Sequence, residues 1–478
     1  MNQKSPLIVD LDGSLLNTDT LHEMLIKFLK HFPLKALLLI VWFLKGKTVL
    51  KKKLSQHVEL DVVHLPYNME LLKWLAEEKK EGRPLILATG AHESIAESIS
   101  KHLNIFDNVY SSNIDINCTN HNKRDLLVKA YGEKGYDYVG NSNHDLPAFK
   151  SARKAILANA NSRMKKKAYK IGNVEKDFPK SSSAFSALLK AIRPHQALKN
   201  VLLLIPLLTA HQMTDIDALI HLGLGFISFS FCAFSIYIIN DLLDIENDRQ
   251  HPRKKERVIP SGQLSIPISA MASFCLLLLG LGTAWIVNAS FFAIMIVYLL
   301  LTTLYSFWLK QYVLVDCLIL AGLYTIRVIA GAMATGIELS FWLLLFSVFI
   351  FISLAFMKRY TELKAQNNEG RNALKGRGYI LDDIKLLQNF GITSGYLSIL
   401  ILALYINSEQ VVVLYSNPEV LWCSIPLMLF WISRVWLKAH RDEMHDDPVV
   451  FALTDKASLF IGGVFVMIFT IAAITGTL

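Results

Sequence analysis

Three aspartates, Asp241, Asp244 and Asp248, follow one another at spacings of three and four, directly behind Asn240. If the helix that carries them continues, all three point to one face. Clustered carboxylates repel one another unless a cation lies between them, and hard oxygen ligands suit Mg²⁺ holding a phosphorylated substrate. Arg253, Lys254, Lys255 and Arg257 come next and suit the phosphates themselves. A solvated helix end with a basic flank would have a similar composition. Acids and bases packed this tightly behind an almost wholly apolar run, 222–239, favour a site at a membrane surface.

A second acid pair stands near the N-terminus, in Leu7-Ile-Val-Asp10-Leu-Asp12-Gly13. A Gly-containing turn must begin here for both carboxylates to serve one site. In such a turn the first carboxylate can act as nucleophile and the second as acid/base toward a leaving group. Another apolar strand ends at Thr89-Gly90, Lys123 follows, and a strand over 136–139 leads into Gly140-Asn141 and on to His144-Asp145.

The rest of the chain must position these groups. Of its 478 residues 53% are hydrophobic and only 19% charged, too apolar for an ordinary soluble enzyme. Most of the charge lies in 1–195, which reads as globular. From 196 onward about nine apolar runs follow, near 198–211, 217–239, 266–286, 289–309, 313–335, 341–357, 391–407, 419–436 and 457–476, the first of them short for a span. Basic residues crowd into alternate loops, 250–257, the Lys310 turn, 358–385 and 434–456, and the loops between lack Lys and Arg. By the positive-inside rule the basic loops are cytoplasmic, and nine spans put the C-terminus outside. The net charge of +9 follows from this placement and does not argue for nucleic acid. The five cysteines are scattered, with no zinc or disulfide spacing, and Leu7–Val9 is too short for a signal-peptide core. Within 19–80 the run 36–44 is bracketed by Lys35 and Lys45 and is too short to span. It reads either as core packing or as an interfacial helix. Arg327, deep in the fifth run, is a functional candidate by default, or else pairs with a carbonyl. Trp308, Trp431 and Trp436 read as interface anchors.

The order Asp10-x-Asp12, Thr89, Lys123, Asp145 resembles the haloacid dehalogenase superfamily over about residues 5–180. The resemblance implies an α/β Rossmann-like domain with a helical cap over 19–80. Asp10 would be nucleophile and metal ligand, Asp12 general acid/base, Thr89 and Lys123 phosphate binders, and Asp145 a Mg²⁺ ligand. Asn141 stands where these enzymes often carry an acid, which leaves more to Asp145.

Asn240-Asp241-x-x-Asp244-x-x-x-Asp248 in a nine-span chain resembles the UbiA-type intramembrane prenyltransferases, and more closely their decaprenyl-phosphate phosphoribosyltransferase-like branch. Arg193-Pro-His, Lys199-Asn200, His251-Pro252, Lys358-Arg-Tyr360 and Met444-His-Asp-Asp-Pro448 support it, over about 190–478. The resemblance implies an all-α polytopic domain over 196–478, joined to 1–180 by a linker at 181–195. Where the aromatic-prenylating branch has a second Asp-x-x-x-Asp, this chain has Lys358-Arg359, which suits the extra phosphate of a phosphoribosyl diphosphate. The implied reaction moves phosphoribose from 5-phosphoribosyl 1-diphosphate to a polyprenyl phosphate at a bacterial-type inner membrane. Asp241, Asp244 and Asp248 would hold Mg²⁺, with Asn240 orienting them. Lys199, Arg253, Lys254, Lys255, Arg257, Tyr305, Lys310, Lys358 and Arg359 would bind substrate phosphates. The alternative is transfer of a prenyl group to an aromatic or other lipid-soluble acceptor, with the soluble domain regulatory. An ion-pumping ATPase is disfavoured, because the sequence after Asp10 lacks Lys-Thr-Gly-Thr and no separate nucleotide-binding domain fits before 190.

Overall fold

The computed structural model describes residues 4–113, 118–180, 183–368, 377–444 and 447–474. The chain forms two compact units, residues 1–192 with 237–274, and residues 193–236 with 275–478.

In the first unit six strands make one parallel sheet in the order β3-β2-β1-β4-β5-β6. They are β1 (Leu7–Val9), β2 (Leu85–His92), β3 (Asn108–Ser112), β4 (Asp137–Gly140), β5 (Ala155–Ala158) and β6 (Val174–Phe178). The central strands are buried on both faces, which explains the unbroken apolar runs of β1 and β5, while Asp137 at the start of β4 is paired with Arg83 and Arg153. The chain leaves β1 in a tight turn over Leu11–Leu15. Gly13 takes φ +77° in that turn, and a Cβ on it would lie 2.0 Å from Asn141 Nδ2. A Cβ on Gly140 would come within 2.8 Å of Asp145 Cγ, so that glycine lets Asp145 approach the strand end.

Three helices of the cap follow: α1 (Thr20–His31), α2 (Ala36–Leu44) and α3 (Lys47–His57). Asp19 caps α1 by accepting from the Leu21 and His22 amides. Phe28, Trp42, Leu50 and Leu54 join the core on one face of the sheet, as does Leu71 from the helix Met69–Lys80. The core-packing reading of 36–44 is corrected here. Only Trp42 of α2 is buried, against Phe28 and His57, and the rest of that helix is exposed or half-buried among the described residues.

The segment 237–274 belongs to this same unit, and one buried ion pair ties it in. Arg249 grips Glu23 of α1 with both terminal nitrogens, at 3.0 and 2.8 Å, and its Nε donates to the Pro260 carbonyl at 2.8 Å. Thr18 donates to the same Glu23 at 2.6 Å. Lys27 meets Glu246 at 2.5 Å and Lys30 lies 3.5 Å from Asp244. Glu23→Ala strands a buried guanidinium, so it is expected to destabilise this unit by about 3–5 kcal/mol. Faster proteolysis of the 249–262 loop would report that loss. A Glu23→Met/Arg249→Met double replacement is expected to recover much of it, since two apolar chains leave no charge unpaired.

Eight described helical segments are long and apolar enough to cross a membrane: α4 (Ile216–Leu243), α5 (Ile266–Val287), α6 (Ala289–Phe307), α7 (Val315–Thr335), α8 (Phe341–Asn368), α9 (Ile384–Ile406), α10 (Ser424–His440, which reaches span length with the 3₁₀ turn Pro418–Cys423 before it) and α11 (Lys456–Ile474). The ninth expected run, 198–211, is not a ninth long helix. It forms a 3₁₀ helix, Pro194–Leu204, and a one-turn α-helix, Ile205–Thr209, with a proline at the start of each. In the second unit, α7, α8, α9 and α10 contribute to one core around Phe351, Tyr360 and Trp436. Trp436 is therefore not an interface anchor: it is buried and donates to Ser353 at 3.2 Å. Trp308 is half exposed, and Trp431 donates to Ser458.

Candidate active sites

At the end of β1, Asp10 is buried with Oδ1 2.6 Å from Lys123 Nζ, while Ser14 Oγ donates to Oδ2 at 3.0 Å. Lys123 also donates to the Tyr138 hydroxyl at 3.0 Å and lies 3.6 Å from Asp145 Oδ1. Asp145 accepts from Tyr138 and from the amides of Asn141 and Ser142, which fixes its carboxylate at the end of β4. Oxygens of Asp10 and Asp145 thus converge on one cationic nitrogen, an arrangement that fits a divalent cation. Asp12 accepts from the Thr20 amide at 2.8 Å. Thr89 is fully buried within β2, three residues before its end, its hydroxyl accepting from the Ala91 amide.

The two aspartates are tuned apart. Burial pushes Asp10 up to about 6, with Asp145 adding to the shift and Lys123 opposing it. Burial, with Asp19 beside it, pushes Asp12 up to about 8, so it is mostly protonated at neutral pH. Burial alone would lower Lys123, but Asp10 and Asp145 hold its ammonium charged and above its ordinary range. Without metal the fold keeps the two carboxyl protons to higher pH than the unfolded chain does. That contribution to stability is complete below the ordinary aspartate value of 3.8 and is lost as pH rises through about 6 and about 8. In chelator, the thermal midpoint of this unit is expected to fall between about pH 4 and pH 8, and Asp10→Asn with Asp12→Asn to flatten the dependence. A midpoint that rises over that interval would contradict this.

The acid row is only partly gathered. Arg257 Nη1 lies 3.2 Å from Asp241 and 2.7 Å from Asp248, so these two buried carboxylates converge on one cation. Asp244 lies 3.5 Å from Lys30 of α1. Between α4 and the short helix Ile245–Arg249 only Asp244 is irregular, at φ −97° and ψ 12°, and the Asp244 and Asp248 amides still donate to the Asn240 and Asp244 carbonyls at 2.9 and 2.8 Å. Among the described residues no three acidic, histidine or cysteine side chains form a ready-made metal cluster. The shared position at Arg257 still shows that Asp241 and Asp248 fit a cation. Burial raises Asp248 above its ordinary value, against the pull of Arg257 and Lys254. Asn240 is half-buried on the last turn of α4. Arg253, Lys254 and Lys255 are exposed on the loop, with Lys254 3.9 Å from Asp248.

In the second unit, Asp447 is the hub of a cluster that sequence reasoning named only as part of a loop. Lys199 reaches it at 3.0 Å, Lys358 at 2.7 Å, and the Tyr324 hydroxyl at 2.8 Å. Burial would raise Asp447, but Lys358 and Lys199 hold it well below the usual carboxylate range. Two ammonium groups on one carboxylate leave the cluster net positive. His445 and Asp446 of that motif lie outside the described residues.

Arg359 departs from its expected role as a phosphate binder. It is fully buried, with Nε 2.5 Å from Asp316, Nη1 on Glu362 and Nη2 3.0 Å from the Tyr305 hydroxyl. Tyr379 donates to the same Asp316. With every nitrogen engaged, Arg359 braces α6, α7 and α8, and Tyr305 is engaged with it. Lys310 is half-buried in the turn Leu309–Gln311. Arg327 proves satisfied: it donates to Asn200 and to the Leu323 carbonyl, with its guanidinium 4.9 Å from the Phe229 ring and 5.4 Å from that of Tyr298. Asp316 carried a signal in the sequence, an acid at the start of an apolar run. Glu23 and Arg249 carried none, being ordinary members of charged segments.

Comparison with known proteins matches residues 201–454 to the UbiA prenyltransferase family and residues 7–150 to the haloacid dehalogenase-like hydrolases. The protein y4nM of Sinorhizobium fredii is 36% identical over 473 residues, 98% of this chain and 92% of that one. Nodulation protein NoeC of Azorhizobium caulinodans is 34% identical and aligns with 58% of this chain and 89% of its own length. Decaprenyl-phosphate phosphoribosyltransferase of Mycobacterium tuberculosis is 34% identical over 189 residues, 39% of this chain and 63% of that one. A solved UbiA homolog from Archaeoglobus fulgidus bound to GPP and Mg²⁺ aligns with 60% of this chain and 99% of its own, at 16% identity and a TM-score of 0.46. The match at 201–454 takes in more than half of the sequence, and the chain belongs to the UbiA prenyltransferase family, with a haloacid dehalogenase-like domain at its N-terminus.

Proposed function

We propose that this multi-pass membrane protein transfers 5-phosphoribose from 5-phosphoribosyl 1-diphosphate to a polyprenyl phosphate and that its soluble domain then removes the 5-phosphate. The observation that carries the first step is the net-positive cluster of Lys199 and Lys358 on Asp447, an anion site beyond what a prenyl diphosphate alone requires. The similarity to decaprenyl-phosphate phosphoribosyltransferases over part of the membrane region supports it.

In this reading Asp241, Asp244 and Asp248 hold the diphosphate end through Mg²⁺, with Asn240 orienting them, and Asp10 and Asp145 hold the ion of the phosphatase. When bound, Mg²⁺ neutralises phosphate charge in both sites. Arg257 and the exposed Arg253, Lys254 and Lys255 stabilise the departing pyrophosphate. Lys199 and Lys358 take the 5-phosphate, and Lys310 a donor or acceptor phosphate. The lipid phosphate oxygen bonds to the anomeric carbon as the bond from that carbon to the diphosphate oxygen breaks. In the soluble domain Asp10 attacks the 5-phosphate, Lys123 and Thr89 hold its oxygens, and Asp12 gives its proton to the departing sugar hydroxyl. Water then releases phosphate.

The basic loops face the cytoplasm. The segment Pro194–Thr209, with eleven 3₁₀ and five α residues, has about 30 Å of rise, enough for a ninth crossing that puts the C-terminal end outside. The working domain limits remain 1–180, 181–195 and 196–478, although 237–274 packs with the first.

The test incubates the full chain with Mg²⁺, a polyprenyl phosphate and labelled 5-phosphoribosyl 1-diphosphate, then determines the mass of the extracted lipid. A ribose adduct is expected. No labelled lipid, with substrates intact and protein folded, would overturn the reading in favour of prenyl transfer to a lipid-soluble acceptor.

A further inference from the structure

The cap carries a lipid-like surface that the chemistry above does not use. Along α2, Leu37, Phe43 and Leu44 are 74%, 56% and 79% exposed, and Ile40 and Val41 are also open to solvent. The helix is nevertheless held firmly: Trp42 packs its ring against Phe28 and His57 at 5.3 Å each. Nine residues rise about 14 Å, too little to cross a bilayer but enough to lie in one leaflet. Exposed Lys35, Lys45 and Lys47 bracket the bare face, matching anionic headgroups in charge and leaving the helix itself for the acyl region. A leaflet is close by, because the same compact unit contains the ends of two spanning helices, residues 237–243 and 266–274.

The connection to chemistry is short. Gly46, at φ +114°, turns the chain from α2 into α3, and Lys51 of α3 donates to the Gly90 carbonyl at 2.5 Å. Gly90 follows Thr89, so the helix with the bare face and an ammonium beside the phosphate-binding strand end belong to one helical hairpin. We propose that α2 is an interfacial helix, inserted in an anionic leaflet, which makes the soluble domain a phosphatase for phosphomonoesters carried on membrane lipids rather than free in water. The substrate claim rests on the phosphatase reading above; the insertion does not.

The full chain, with Cys275 and Cys423 replaced by serine, is placed in nanodiscs containing phosphatidylglycerol. A nitroxide on cysteine is introduced by Leu37→Cys or Phe43→Cys, with Glu97→Cys as the aqueous control. Oxygen is expected to relax the label at 37 and 43 more than a water-soluble nickel chelate does, the reverse of position 97. Nickel access at 37 equal to that at 97 overturns the insertion. Turnover is then measured on synthetic farnesyl-phospho-(ribose 5-phosphate) in the nanodisc and on p-nitrophenyl phosphate in solution. Leu37→Ser with Phe43→Ser is expected to lower lipid turnover at least tenfold and leave soluble turnover unchanged. Unchanged lipid turnover, or equal loss on both substrates, overturns the substrate claim. A parent protein that hydrolyses neither sinks the phosphatase reading and the substrate claim with it, while the label still decides the insertion.

Discussion

Asp10→Asn is expected to leave a protein that makes the phosphoribosylated lipid and cannot dephosphorylate it. Asparagine keeps the shape of Asp10 but has no anionic oxygen to attack phosphorus, so phosphate release should fall about 10³-fold or more, the order of loss when a nucleophile is removed. The change also leaves Lys123 with Asp145 as its remaining carboxylate, 3.6 Å away, so the ammonium stays paired and the fold is retained. The lipid then accumulates with a mass higher by one phosphate, which mass determination reads directly. Loss of the transfer step as well would show that the two chemistries are not separable, and continued phosphate release would remove Asp10 from the nucleophile's role.

Asp241→Asn is expected to have the opposite signature, abolishing lipid labelling by at least about 10²-fold while the soluble domain still hydrolyses p-nitrophenyl phosphate. Asp241 is buried and shares Arg257 with Asp248, so removing its charge takes away half of the converging pair. Asp248→Asn should behave alike. Asp244→Asn should cost less, since Asp244 is more exposed and already meets Lys30 at 3.5 Å. Rates ranked in the other order, with Asp244 dominant, would show that substrate binding redraws the row onto one face.

The bearing of the soluble domain on the acid row is a matter of packing. Glu23 on α1 holds Arg249, the residue after Asp248, and Lys30 on the same helix meets Asp244. The cap helix α1 therefore helps set the geometry of the acid row.

What the sequence determined by itself was local. Asp10, Asp12 and Gly13 mark their turn, because Gly13 supplies the left-handed φ of +77° at which the chain leaves the strand. The long spans are readable because twenty apolar residues need no partner to be recognised. Only the tertiary structure decided how the charges pair. Arg359 reads on paper as a free cation beside Lys358, yet Asp316 and Glu362 neutralise it, and Lys358 turns instead to Asp447. Asp244 meets Lys30 of α1, and only Trp42 of α2 is buried while Leu37, Phe43 and Leu44 stay exposed. Charge pairing over long sequence separations depends on which helices become neighbours, and hydrophobic periodicity fixes which face of a helix is buried without naming the partner it meets.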